Sequence, residues 1–251
     1  MKTIQVIGIE GVPIIQKGDD LAEILCRAAS EQGTPFRDGD ILVVTHVVVS
    51  RAEGEVVDLR KVEPSEFAVN FAREFDKDPA LVEVVLRESR RIVRMGQGKI
   101  ITETRHGFVC ANSGVDKSNV PGETCVALLP KDPDSSAKRI RRRIAELTGK
   151  DVAVIISDTH GRPFREGEVN VAIGVAGLNP IRDRRGERDL FGYTLRVKRT
   201  AIADELASAA ELVIGQADEG IPAAIIRGYE YVKSDSGSAK QLVRPQEKSL
   251  F

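Results

Sequence analysis

Apolar and polar positions alternate between two periods along this chain, and the switches mark its elements. Thr3 to Ile7 alternates and is β-branched, which predicts a strand. Gly8 to Ile15 is a loop with two glycines and a proline. Asp20 then caps a predicted helix whose apolar stripe is Leu21, Ile24, Leu25 and Ala28, ending near Gly33–Pro35. The β-branched run Ile41 to Val49 predicts one long strand with Thr45 and His46 inside it, so His46 reads as a half-exposed sheet residue. Pro64-Ser65-Glu66 opens a helix to about Phe75. Asp78-Pro79 opens another, with Leu81, Val84, Val85, Ile92 and Val93 on its inner face. Lys99–Glu103 and Gly107–Ala111 read as a hairpin with His106 exposed at its tip.

A polar loop, Asn112 to Asn119, leads to a strand over Thr124–Leu129. Asp132-Pro133 starts a helix with Ile140, Ile144 and Leu147 buried, Gly149 at its end, and Arg139, Arg141, Arg142 and Arg143 on a solvated face. Val152 to Ile156 predicts a buried strand that stops at Ser157-Asp158-Thr159-His160-Gly161-Arg162-Pro163. Val169–Val175 is a further apolar run, Arg182–Arg188 a charged turn and Tyr193–Val197 a strand. A helix over Ala203–Leu212 and a strand over Ala223–Ile226 flank the acidic, glycine-bearing loop Ile214–Pro222. Residues 233–240, KSDSGSAK, are linker-like, which divides the chain into a domain over 1–232 and a polar tail over 233–251.

Composition narrows the function classes. With 41% apolar and 30% charged residues, 251 residues can bury a sizeable core. A net charge of -1 argues against a dedicated nucleic-acid binder, and 4% aromatics with no Trp leaves few base-stacking platforms. Cys26, Cys110 and Cys125 have no CxxC spacing and read as small buried residues in a reducing compartment. No stretch nears the ~20 apolar residues of a membrane helix, and the first residues do not read as a signal peptide. The expectation is a cytoplasmic protein with no membrane or nucleic-acid partner.

The chemistry-bearing residues sit where strands meet loops. Asp158 with Thr159, Asp116 with Asn119, and Gln216 with Asp218 offer oxygen ligands of the kind Mg²⁺ or Mn²⁺ takes. Taken alone, Asp158 reads equally as an Asx turn onto Gly161, and 112–119 as a surface loop. Arg162 could meet an anion. Loops 8–11 and 215–220 could approach phosphates with backbone N–H groups. There is no GxxxxGKS/T loop, GxGxxG, GxSxG or HExxH.

Several runs together identify a resemblance. ELTGKDVAVIISDTHGRPFREG, GVAGLNPIRDRRGERDLFGYTL, GDDL at 18–21, VSRAEG at 49–54, NSGVDKSN at 112–119 and ADE with GQADEGIP at 203–222 resemble the coenzyme F-420-0:L-glutamate ligase family, in the family's order, over roughly residues 3–231. The resemblance implies an α+β fold of mixed, largely antiparallel sheets with flanking helices, in two interleaved lobes, working as an intertwined homodimer. It implies a GTP-dependent ligase that adds L-glutamate through γ-glutamyl links to a deazaflavin coenzyme precursor with a phospholactyl tail, through an acyl phosphate. Mn²⁺ or Mg²⁺ at two sites and K⁺ are implied with it.

Carried over by position, nucleotide contacts fall on Val12, Pro13, Ile14, Ile15, His46, Val47, Arg51 and Asn119. They fall also on Ile214, Gly215, Gln216, Ala217, Asp218, Glu219, Gly220 and Ile221. Metal ligands fall on Asp116, Asp158, Thr159 and Gln216, and the catalytic group is Asp116, Asp158 and Arg51. His160, Arg162 and Arg165 inherit no role. Three positions depart from the family pattern: His46-Val47 replaces a small hydroxyl pair, Arg51 a Lys, and Gln216 a Glu ligand. GTP against ATP, the strength of the second metal site and the general base therefore stay open. Two other readings share these residues: a γ-glutamyl ligase for another acceptor such as a folate, and a non-catalytic nucleotide-binding relative.

Overall fold

The computed structural model describes residues 2–248. Its centre is a six-stranded sheet built on two buried apolar runs. β1 (Gln5–Gly8), β2 (Ile41–Thr45), β8 (Ala153–Gly161), β9 (Glu168–Leu178), β12 (Ala223–Arg227) and β13 (Lys233–Ser234) lie in the order β1-β12-β2-β8-β9-β13. The β2–β8 pair is parallel, with Ile41 beside Ala153 and Thr45 beside Ser157, and the other pairings are antiparallel. Every residue of Ile41–Val44 and Ala153–Ile156 is buried, so both faces of the parallel pair are covered. The expected α+β class with largely antiparallel sheets is what the chain adopts.

The covering helices start where the sequence signals them. Asp20 caps α1 (Leu21–Glu31) by accepting from the Glu23 N–H at 3.1 Å. Asp132 caps α5 (Pro133–Thr148), with Pro133 in the first turn and Gly149 closing the helix at φ 69°. α1 packs on α5, which lies across β8 and β9, while α6 (Ile202–Ile214) lies across β9, β12 and β1. Gly174 lets α5 approach β9: a Cβ there would stand 2.5 Å from the Pro133 carbonyl oxygen.

A second body holds α3 (Glu66–Phe75), α4 (Pro79–Glu88) and the sheet β4 (Ser89–Gly96), β5 (Lys99–Thr104) and β6 (Val109–Ala111) around Phe71, Val82, Val85 and Ile100. β3 (Val56–Asp58) pairs with β7 (Cys125–Ala127) between the two bodies in sequence, and β10 (Arg182–Asp183) pairs with β11 (Arg199–Thr200).

Several expectations are corrected. The run Ile41–Val49 is two elements: the strand ends at Thr45, and α2 (His46–Glu53) begins at once. The Thr45 N–H still donates to the Pro222 carbonyl at 3.0 Å, but Pro222 has no N–H to return, so the ladder ends there. Burial of Val47, Val48 and Val49 as a helical patch outweighs their β preference. His46 is accordingly buried, not half-exposed. The helix at Pro79 stops at Glu88, because Gln97-Gly98, both at positive φ, form a two-residue hairpin turn that pairs β4 with β5. Ile92 and Val93 are thus exposed strand residues, and Leu147 of α5 is exposed too. Tyr193–Val197 is irregular, held by one bridge between Arg188 and Thr194. His106 is half-buried, with Nε2 2.9 Å from the Pro130 carbonyl oxygen. Arg141 is no solvated residue: its guanidinium donates to the Val152 carbonyl, Asp151 and Asp235.

The stretch 233–240 is packed where a linker was expected. β13 pairs with Gly177–Leu178, the Ala239 N–H donates to Asp134 at 3.0 Å, and Ala239 is fully buried. Of the tail read over 233–251, residues 249–251 lie outside the described residues. Among the described residues no helix is long and apolar enough to cross a membrane.

Candidate active site

The largest change from the expected picture concerns β8. The strand does not stop at Ile156. After a register shift between Ile156 and Ser157 it continues to Gly161, with Asp158 opposite Val171, Thr159 opposite Asn170 and His160 opposite Val169. Asp158 therefore makes no Asx turn onto Gly161. Residues two apart on a strand share a face, so Asp158 and His160 point the same way.

At this end of the sheet a cleft of about 260 Å³ opens. It is lined by Val12, Pro13 and Ile14 after β1, and by Thr45, His46, Val47, Val48 and Arg51 at the β2–α2 junction. Asp116, Ser118, Asn119, Ser157, Asp158, Thr159 and Asn170 complete one side, and Ile214, Gly215, Gln216, Ala217, Glu219, Gly220, Ile221 and Pro222 the other. The residues singled out from sequence thus converge, with two exceptions. Ile15 is buried beneath the wall, and Asp218 stands outside the lining. Asn170, Ser157, Ser118, Thr45, Val48 and Pro222 were not anticipated. Extending β8 to Gly161 would have found Asn170, which sits directly across from Thr159.

Arg51 works as a clasp. Its Nε and one terminal nitrogen donate to the Ile15 carbonyl at 3.1 and 2.8 Å, and the other donates to the Asn119 carbonyl at 3.3 Å. One guanidinium so ties the 12–15 loop to the 116–119 loop, which a lysine could not do with a planar fork. Asp116 is held by a short β-bridge to Ala127, and its Oδ1 accepts from the Ser118 N–H at 2.7 Å and hydroxyl at 2.8 Å. Gly215, at φ 75°, lets the Glu219 carboxylate fold back over it and accept from the Ala217 N–H at 2.8 Å.

Asp158 is the most enclosed acid of the cleft. Oδ1 accepts from the Thr159 N–H at 2.7 Å and lies 3.2 Å from His46 Nε2. Oδ2 lies 3.0 Å from His160 Nε2. Burial alone would raise its pKa, but the two imidazoles hold the carboxyl well below the usual range. The same contacts raise both imidazoles against the effect of burial, His160 to about 10. His46 Nδ1 and Ser157 Oγ are buried and have no partner among the described residues. α2 also begins uncapped, as Thr45 makes no side-chain bond to its first turn. Free N–H groups and a helix N-terminus at the wall of a cleft suit an anion.

Beside Asp158 lies a knot of oxygens. Thr159 Oγ1 is 2.8 Å from Asn170 Oδ1 and 3.2 Å from Gln216 Oε1, and Gln216 Nε2 donates to Asn170 Oδ1 at 3.1 Å. One hydroxyl proton serves two oxygen neighbours there. Lone pairs are in excess, as in a site for a hard cation. Counting on Asp158 gives the same result: Oδ1 has both lone pairs engaged, and Oδ2 keeps one. Among the described residues no group of three or more His, Cys, Asp or Glu side chains is arranged to hold a metal by itself. Asp116, Asp158, Thr159 and Gln216 fit Mg²⁺ or Mn²⁺ as a partial shell, the kind that substrate phosphates and water complete.

Comparison with known proteins gives the same family that the motifs suggested. The family model described as F420-0:Gamma-glutamyl ligase matches residues 10–228. The coenzyme F420:L-glutamate ligase of Methanothermobacter thermautotrophicus is 54% identical over 99% of this chain and 98% of its own. Those of Methanopyrus kandleri and Methanocaldococcus jannaschii are 53% and 48% identical, over all of this chain and 100% and 97% of theirs. With a family model covering most of the chain and such identity end to end, the protein belongs to the F420-0:gamma-glutamyl ligase family.

Proposed function

We propose that this chain is a GTP-dependent γ-glutamyl ligase that joins L-glutamate to the phospholactyl tail of a deazaflavin coenzyme precursor. One observation carries the proposal: the separate segments named from sequence meet in a single cleft that combines anion-binding N–H groups with a carboxylate and oxygen cluster. The relatives' names supply the acceptor and the amino acid.

A carboxylate does not condense with an amine at neutral pH, because its leaving group is poor. The γ-phosphoryl group of GTP is transferred to the acceptor carboxylate, giving GDP and an acyl phosphate. The glutamate amine then attacks the acyl carbon, phosphate leaves, and one proton is released. Loops 12–14 and 214–221 hold the nucleotide, and the start of α2 at His46 and Val47 faces its phosphates. Arg51 adds a fixed positive charge and keeps loops 12–15 and 116–119 in register. Asp116, Asp158, Thr159 and Gln216 would hold Mg²⁺ or Mn²⁺, which when bound neutralises charge on the phosphates. K⁺ assists, and the working unit is a homodimer. The exposed apolar side chains Leu190, Phe191 and Val197 support an oligomer.

The test is direct. The protein is incubated with Mn²⁺, L-glutamate, the glutamate-free coenzyme and either GTP or ATP, and the product is weighed by mass spectrometry. Glutamyl-sized mass gains with GTP are expected. No gain, under conditions where the Methanothermobacter relative is active, overturns the assignment.

A further inference from the structure

Asp158 is braced from behind by a residue to which the motifs gave no role. His160 follows it by two positions on β8 and meets Oδ2 at 3.0 Å, with a side chain only 13% exposed. Beside that ring runs β6, which carries the buried Cys110. The contact joins the small sheet to the central one, as β6 packs against β8 here. Across the site the order is His160, Asp158, His46.

We propose that His160 is a positioning residue for Asp158: it fixes Oδ2 so that its one free lone pair faces the cleft. The inference rests on the reading of Asp158 as a cation ligand. A carboxylate on a strand turns about two side-chain torsions, and donors on one oxygen alone leave the other to swing. Here Oδ1 is saturated by Thr159 and His46, and His160 takes half of Oδ2. What remains is a one-oxygen contact of fixed direction. The arrangement extends the rule that a ligating group is itself hydrogen-bonded by an outer shell, with metal affinity falling when that shell is lost.

The experiment reads Mn²⁺ alone, through loss of the free-ion electron paramagnetic resonance signal on titration with nucleotide-free protein. His160→Leu removes the donor, and His160→Gln keeps an amide N–H near the Nε2 position. Loss of the donor is expected to weaken Mn²⁺ binding by about 10- to 100-fold. His160→Gln should stay within a few-fold of the parent. In the ligation assay His160→Leu should lower kcat while leaving KM for L-glutamate in place, and thermal melting reports whether the variant is folded. Mn²⁺ binding by His160→Leu as tight as the parent overturns the proposal, and so does a His160→Gln variant as weak as Leu. Should His160→Leu not fold, His160→Asn decides: its shorter amide does not reach Asp158 Oδ2, so weaker Mn²⁺ binding supports the positioning role and unchanged binding overturns it. A parent protein that takes up no Mn²⁺, either alone or with GDP present to complete the shell and a GDP-only blank subtracted, removes the cation reading of Asp158 itself, and the positioning role with it.

Discussion

Replacing Asp158 by Asn keeps the shape of the side chain and removes its charge, so it separates packing from chemistry. In the parent, both oxygens are engaged: Oδ1 accepts from Thr159 N–H at 2.7 Å and pairs with His46 Nε2 at 3.2 Å, and Oδ2 lies 3.0 Å from His160 Nε2. An amide has one oxygen. Left at the Oδ1 position, it keeps the Thr159 bond and turns its NH₂ group toward His160, whose Nε2 donor loses its acceptor. One buried donor without a partner costs about 1–3 kcal/mol. For a chain of this size that corresponds to a fall in melting temperature of about 2–12 °C, at roughly 2–4 °C per kcal/mol. The chemical loss is larger. One of the two carboxylates in the proposed cation site becomes neutral, and turnover should drop by at least about 100-fold, as for other single electrostatic partners of a transition state. Calorimetry and the glutamyl-addition assay measure the two losses on one sample. Near-parental turnover refutes the placement of Asp158 at the reacting phosphates. A variant that melts above the parent refutes the donor count.

Three further outcomes follow from the packing. Arg227 Nε and a terminal nitrogen grip the two oxygens of Asp40 at 2.9 and 2.7 Å in a buried, two-pronged pair. Arg227→Leu leaves that buried carboxylate with the Arg37 N–H alone and no compensating charge, and should lower the urea unfolding free energy by about 3 kcal/mol; an unchanged urea midpoint contradicts this. Gly174→Ala places a Cβ 2.5 Å from the Pro133 carbonyl, so α5 must shift from β9, at about 1–3 kcal/mol in the same assay. Asp204 is raised above the usual carboxyl value mainly by burial, with the Ala172 N–H bond opposing. A raised acid stabilises the fold below its unfolded value and loses that contribution as pH rises through the folded value. Asp204→Asn should therefore melt higher than the parent at pH 7, and the gap should close below about pH 4, near the free-chain aspartate value. A gap that widens in acid reverses the sign.

Much of the fold is legible in the sequence, because local rules decide it. Asp20 and Asp132 mark helix starts whatever surrounds them, since a carboxylate near three free N–H groups needs no partner from elsewhere. The apolar runs at Ile41 and Val152 can only be buried, so they become the centre of the sheet. The candidate site is legible in a weaker sense. Asp116, Asp158, Thr159 and Gln216 are recognisable as oxygen donors near strand ends, and the motifs name their family.

Where the elements end is another matter, and there tertiary structure decides. Ile41–Val49 has the composition of one strand, yet it breaks at Thr45 because a proline, Pro222, stands just before the neighbouring strand. Ser157–Gly161 has the composition of a loop, yet it is strand because β9 runs alongside to accept its bonds. Those two decisions build the cleft. The first turns the start of α2 toward it, and the second sets Asp158 and His160 on one face and Thr159 against Asn170. Composition determines which residues can bind a cation and a phosphate. Only strand pairing determines that they meet, between β2, β8 and β12 over a hundred residues apart and between β8 and its hairpin neighbour β9, and that Asp158 arrives with a single lone pair to offer.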